Sequence, residues 1–275
     1  MARRCLVMDS RSLQDIQRDG PALRLQVKGR SRQWFPLRRL SRVLCIGYPA
    51  LGLGALGETA HDGVPVTFLQ PGGEVLAQLV YPGALPAPLN HWLDAAATEP
   101  DIAAAYALWA DNLGRHTYGL AGAVACDRQH AAARAEALLA ELLRKQKRGR
   151  LPAHARSWFS SLLMTGIQAE LMARGMPANS RVLQTIVNDM LHPGLMLVLS
   201  WLYLNLPVGE NPRETELVRY YQRHLESDVE AWIQRGVYSL EQQLESAGMI
   251  QDAVQKSRQH SHSHHSSHSG GRRYA

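Results

Sequence analysis

Asp189 and His192 stand three residues apart, a spacing that puts both side chains on one face of a helix. A carboxylate and an imidazole so placed make a minimal pair of metal ligands. A capping or core role for His192 is the competing reading. Cations cluster in two places. The run Arg144-Lys145-Gln146-Lys147-Arg148-Gly149-Arg150 holds five cations in seven residues, and Arg38, Arg39 and Arg42 lie close together earlier in the chain. Both groups suit phosphate oxygens. Each also has an ordinary alternative, a helix end whose dipole favours cations and a solvated rim of arginines. His260, His262, His264, His265 and His268 fall in a Ser-rich tail that could bind a transition metal adventitiously. Cys5, Cys45 and Cys126 are scattered, without the paired spacing of zinc sites or disulfides, so reduced thiols are expected.

The elements that must position these residues change character along the chain. Leu6-Val7-Met8 opens an extended run, followed by polar residues to Gly20. Leu23–Lys28 alternates apolar and polar, the period of a half-buried strand, and Trp34–Leu37 resumes it after a turn. Val43–Ile46 is a short β-branched run, and residues 51–60 repeat apolar side chains at near-helical spacing up to Gly63. Val64–Leu69 and Val75–Leu79 are two more strands, separated by the turn Gln70-Pro71-Gly72-Gly73. A small sheet domain over residues 1–81 is expected, then a proline-rich linker over 82–90.

From residue 91 the composition turns to Ala and Leu, and a helical domain over 91–255 is expected. It begins with a helix over His91–Leu113 broken near Pro100. The clearest helix is Asp127–Lys147, with Ala131, Ala135, Leu138, Leu139, Leu142 and Leu143 as its apolar stripe and Arg128, Arg134 and Glu141 off it. Helices follow over His154–Arg174 and Arg181–Leu191, the latter stopped or kinked by Pro193. Leu195–Leu206 reads as a core helix, Glu214–Tyr238 as a long charged one, and Leu240–Val254 closes the fold. Residues 256–275 are too polar to order themselves and are expected to be disordered. The fold class is therefore α+β, a β-rich part followed by a larger all-α part.

The totals restrain the function. The net charge is +6, but Lys256, Arg258, Arg272 and Arg273 in the acid-free tail leave only +2 on the body. Total charge alone therefore does not argue for nucleic acid, and clustering has to. No apolar run reaches the ~18 residues of a membrane span, and Met1–Val7 does not lead into a signal-peptide segment. A cytoplasmic protein without membrane contact is expected.

One stretch resembles a known family. Leu40, Arg42, Val43 and Gly47, then Gly63-Val64-Pro65-Val66-Thr67-Phe68-Leu69, then Gly73–Leu76 are similar in order and spacing to the N-terminal domain of the CRISPR adaptation integrases, the Cas1 endonuclease family. The resemblance implies a metal-dependent DNA endonuclease and integrase of antiviral defence. It implies Mg²⁺ or Mn²⁺ held by a Glu, a His and an Asp of the helical domain. It also implies DNA as partner, a homodimer formed through the β domains, and the small second CRISPR adaptation protein. DNA contacts fall by it on Arg144, Lys145, Lys147, Arg148 and Arg150 of the helical domain, while Arg38, Arg39 and Arg42 are DNA-contact candidates from their clustering alone.

Carried onto this chain, the family's catalytic helix falls on Gly166–Arg174, where the metal-binding Glu position is Gln168. A Gln offers a neutral oxygen and no charge. Glu170, two residues on, lies ~200° around the helix. The family's His falls on His192, but Leu195–Leu206 after it contains no acid. The remaining candidates for a cluster with Glu170, Asp189 and His192 lie past the next loop, Glu216 among them. A hard divalent cation needs carboxylate oxygens, so a divergent member with a degenerate metal site is expected, a DNA-binding or assembly subunit with weak or no nuclease activity. The alternatives are an active Mg/Mn-dependent integrase and an unrelated helical interaction protein.

Overall fold

The structure, a computed structural model, describes residues 3–50, 52–81, 98–145, 153–177, 180–205 and 214–265, together with Leu89 and Leu93. Seven strands come first: β1 (Arg4–Asp9), β2 (Leu13–Asp19), β3 (Ala22–Val27), β4 (Gln33–Pro36), β5 (Leu40–Ile46), β6 (Val66–Leu69) and β7 (Val75–Leu79). They form two sheets rather than the single one expected. One has the order β1-β5-β6-β7, with β1, β5 and β6 parallel and β7 antiparallel; the other is the antiparallel meander β2-β3-β4. The helix α1 (Leu53–His61) is the crossover that parallel pairing of β5 and β6 demands.

The strand β5 explains why the sheet sits where it does. All but one of its residues are buried, and alternation sends them to two cores. Val43 and Cys45 join Ile16, Leu23, Leu25, Leu56 and Phe68 in a core inside the β part. Leu44 and Ile46, with Cys5 and Leu69, join the large core of the helices. The sheet is thus covered on both faces, as parallel strands require.

The described helices after residue 98 are α2 (Pro100–Leu120), α3 (Arg128–Lys145), α4 (Ala153–Ala173), α5 (Arg181–Asn205), α6 (Glu214–His224) and α7 (Glu226–His265). Two expectations change here. The helix expected to stop or kink at Pro193 runs on as one 25-residue element with Pro193 inside it. The charged helix expected from Glu214 to Tyr238 is instead interrupted at Leu225, and α7 then continues past Leu240 to His265. The backbone of the His-rich segment through His265 belongs to α7; 266–275 lie outside the described residues, as does most of 82–97. Arg181–Asn205 is long and apolar enough to cross a membrane, yet 56% of its apolar window is buried within the protein.

Hydrogen bonds join the β part to the helices. Trp158 Nε1 donates to the Pro71 carbonyl (3.1 Å), Gln222 Nε2 to the Cys5 carbonyl (2.9 Å), and the Cys5 amide to Glu226 Oε1 (3.1 Å). Arg42 Nη1 reaches across to the Leu162 carbonyl at 3.0 Å.

Candidate functional site

The helices α2, α3 and α5 meet around Asp189 and His192. Asp127 caps α3, accepting from the amide of His130 at 2.9 Å, and the amide of Arg128 donates to Asp111 Oδ1 on α2 at 3.0 Å. The first turn of α3 is thereby fixed against α2. The Arg128 stem then crosses Gly114, where an added Cβ would stand 2.7 Å from Arg128 Cγ. Only glycine leaves that path open.

The guanidinium arrives at a place prepared by Pro193. Proline has no amide hydrogen, so the carbonyl four residues earlier, that of Asp189, loses its helical donor. Arg128 Nη2 donates to that carbonyl at 3.0 Å, and Nη1 pairs with Asp189 Oδ1 at 3.0 Å. Tyr106 Oη donates to the other carboxylate oxygen at 2.7 Å. Burial, reinforced by the carboxylate beside it, pushes the Tyr106 phenol well above its ordinary range, so it stays a donor at neutral pH.

One turn along, His192 is equally engaged. Its Nδ1 lies 2.6 Å from Tyr118 Oη, and its Nε2 lies 3.1 Å from Glu136 Oε1 on α3. Burial raises the Tyr118 pKa as well. A protonated Tyr118 donating to Nδ1 leaves the imidazole proton on Nε2, directed at Glu136. The shared face expected from the three-residue spacing is present, and both side chains on it are half-buried.

The other expected ligands lie on α4 and α6. Gln168 is half-buried on α4. Glu170 accepts from Arg174 Nε at 2.9 Å, and Arg174 also pairs with Glu241 of α7. Glu216 is exposed on α6. Among the described residues, neither Glu170 nor Glu216 joins Asp189 and His192 in a group of three ligand atoms within 4.8 Å of one another. Among the described residues the one group of three potential ligands with atoms within 4.8 Å of one another is Cys126, Asp127 and His130, where the carboxylate is already capping α3.

The expected DNA contacts divide too. Arg38 and Arg39 form a short 3₁₀ turn before β5 and are exposed. Arg144 is exposed near the end of α3, while Lys147, Arg148 and Arg150 lie outside the described residues, and Lys145 is placed only as the last residue of α3. Arg42 is the correction. It is 3% exposed and, besides the Leu162 carbonyl, has Glu226 at 4.0 Å. The acids and polar groups of β1, α6 and α7 draw it inward, so it is a buried tie rather than part of a rim. Arg128, assigned to the outer face of its helix, also turns inward. Sequence reasoning missed it along with Tyr106, Tyr118 and Glu136. The available signal was Pro193, since a proline inside a helix calls for an outside donor.

Comparison with known proteins fits this architecture. Residues 10–92 match the family model described as CRISPR associated protein Cas1. No curated protein matches the chain by sequence. Among solved structures, TtCas1 is similar at 12% identity over 87% of this chain and 97% of its own, with a TM-score of 0.65; its complex with DNA matches at 0.57 and 13% identity, over 86% of this chain and 91% of that one. A CAS1 protein from Thermotoga maritima matches at 0.59, with 12% identity over 87% of this chain and 96% of that one. A casposase bound to integration product matches at 0.57, with 11% identity over 87% and 91%. The resemblance read from Leu40–Leu76 is borne out, and the alternative of a chance likeness in an unrelated helical protein falls.

Proposed function

We propose, for a chain that is a divergent member of the Cas1 family, that it serves CRISPR adaptation as a DNA-binding and assembly subunit without metal-dependent cleavage. The observation that supports this most is the Arg128–Asp189 pairing. A divalent ion there would have to displace a full positive charge held at 3.0 Å from Asp189 Oδ1, a phenol donating to the other oxygen, and the partners on both His192 nitrogens. Glu170 already neutralises Arg174, and Gln168 brings no charge. These residues do not fit a hard cation that keeps several waters and wants oxygen ligands.

DNA binding would rest on the exposed Arg38 and Arg39 and on the exposed Arg144, to which the cations that follow in sequence would add. Related folds have been solved with DNA and in a Cas6-RT-Cas1–Cas2 complex. By that likeness we assign this chain DNA and the small second adaptation protein as partners, and by the sequence resemblance a homodimer. The test is incubation of the full chain with a branched DNA substrate and Mn²⁺. A retarded complex without cleavage products is the expected outcome. Robust Mn²⁺-dependent cleavage, lost in Asp189→Ala or His192→Ala, overturns the assignment.

A further inference from the structure

A second basic surface runs along the seam between the β part and α6. Arg3, Arg4, Arg219 and Arg223 line a cavity of about 500 Å³. Next to it, Lys28 and Arg30 line a second of about 470 Å³. Arg219 and Gln222 belong to both, so the two cavities adjoin along one seam. All six cations are exposed, and among the described residues none of their side chains makes a hydrogen bond or ion pair. Three other arginines of the β part are matched: Arg11 to Asp9, Arg18 to Asp62 and Arg24 to Asp15.

The acids beside the groove are largely committed. Asp9 is held by Arg11, whose hydrogen bonds keep its carboxyl below the usual range. Glu226 accepts from the Cys5 amide and faces Arg42. Glu230 is the one acid on the lining with no such partner among the described residues. Positive charge therefore dominates, over a floor that includes Leu6, Met8, Val27 and Phe35, whose low dielectric strengthens the field.

The arrangement is held at a cost. Arg219 and Arg223 stand four apart on α6, where like charges destabilise a helix by ~0.2–0.5 kcal/mol. Gln222 between them is fixed to the Cys5 carbonyl, which sets the rotation of α6 and turns both arginines to the groove. Cations strung along two adjoining cavities suit a polyanion better than a single phosphate.

We infer that this seam binds the phosphodiester backbone of nucleic acid, as a surface separate from Arg38, Arg39 and the end of α3. The inference rests on the DNA-binding reading above and specifies a surface for it. The experiment is fluorescence anisotropy of labelled duplex DNA with the full chain across 50–200 mM salt. Two exposed pairs are changed separately, Arg219→Ala with Arg223→Ala and Lys28→Ala with Arg30→Ala, and Arg115→Ala serves as a control. Circular dichroism establishes that each variant is folded.

Each pair variant is expected to bind more weakly, with the slope of log K against log salt reduced by about 0.9 for every phosphate no longer neutralised. The control, already paired with Asp111, leaves the slope in place. Unchanged affinity and slope in both pair variants, with the parent binding DNA, overturn the groove alone. A parent chain that binds no DNA overturns the functional reading and the groove with it. Weakened binding confined to the Arg38→Ala/Arg39→Ala variant likewise removes the groove.

Discussion

Arg128 and Asp189 meet twice, side chain to carboxylate and side chain to backbone carbonyl, each at 3.0 Å. The second meeting exists because Pro193 withholds the amide that would otherwise serve that carbonyl. Arg128→Ala leaves a half-buried carboxylate and an orphaned carbonyl, and should destabilise the protein by about 1–3 kcal/mol. Lysine at 128 should rescue little, because it lacks the planar fork that reaches both oxygens. Pro193→Ala restores the helical donor, so Arg128→Ala should cost less in that background. Denaturant unfolding of the four proteins in this cycle measures the coupling. Additive effects would mean that the bond to the carbonyl contributes nothing.

Arg42 offers a test of burial against surface charge. Arg42→Ala removes the cation facing Glu226, with the two side chains only 4% and 6% exposed. Stranding a buried carboxylate should cost about 3–5 kcal/mol. Arg42→Met with Glu226→Met should recover part of that stability. In conditions where the Met pair is folded, the salt dependence of DNA binding should match the parent. A reduced slope would return Arg42 to the DNA surface.

The cap of α3 gives a pH prediction. The His130 amide, and then its side chain, lower the Asp127 pKa from 3.8 to about 2. A folded-state value below the unfolded one means that this group's stabilisation is complete above about pH 4. It is lost as the pH falls through about 2. Carboxyl resonances followed by NMR should place the Asp127 midpoint near 2, and Asp127→Asn should flatten the stability curve in that window. A midpoint near 3.8 would mean the cap is not formed in solution.

The thiols should separate in reactivity. Burial pushes Cys5 and Cys45 up to about 12, while Cys126 is exposed. The thiolate is the reactive form, so an aromatic disulfide reagent at pH 8 should titrate one thiol in the native chain and three after unfolding. Rapid native reaction of Cys5 as well would show that the joint between β1 and α7 opens readily.

Much of the β part was legible because its strands carry their own pattern. Alternation marked Leu23–Lys28, and the apolar runs marked Val43–Ile46 and Val64–Leu69. The strand Leu13–Asp19 was not legible, since Ile16 is its only buried residue and, Leu13 apart, the rest is polar. In the helices, Pro193 looks like a break when only local propensity is considered, and Gly236 looks like an ordinary weak point. Tertiary contacts give both a purpose. Arg128 supplies the donor missing at Pro193, and Gly236 lets α7 approach Met190 so closely that a Cβ would stand 2.8 Å from its methyl. The shared face of Asp189 and His192 was written in their spacing. Their partners were not, because Tyr106, Tyr118, Glu136 and Arg128 come from other helices, 56 to 83 residues away in sequence.

A metal ion exchanges with the medium, so a site that depends on one empties and fills with supply. A guanidinium is covalently tethered and stays charged at every physiological pH. The positive charge facing Asp189 is therefore present once per chain from synthesis onward. Chelators should not strip it, and swings in cellular magnesium should not alter how α3 and α5 are joined.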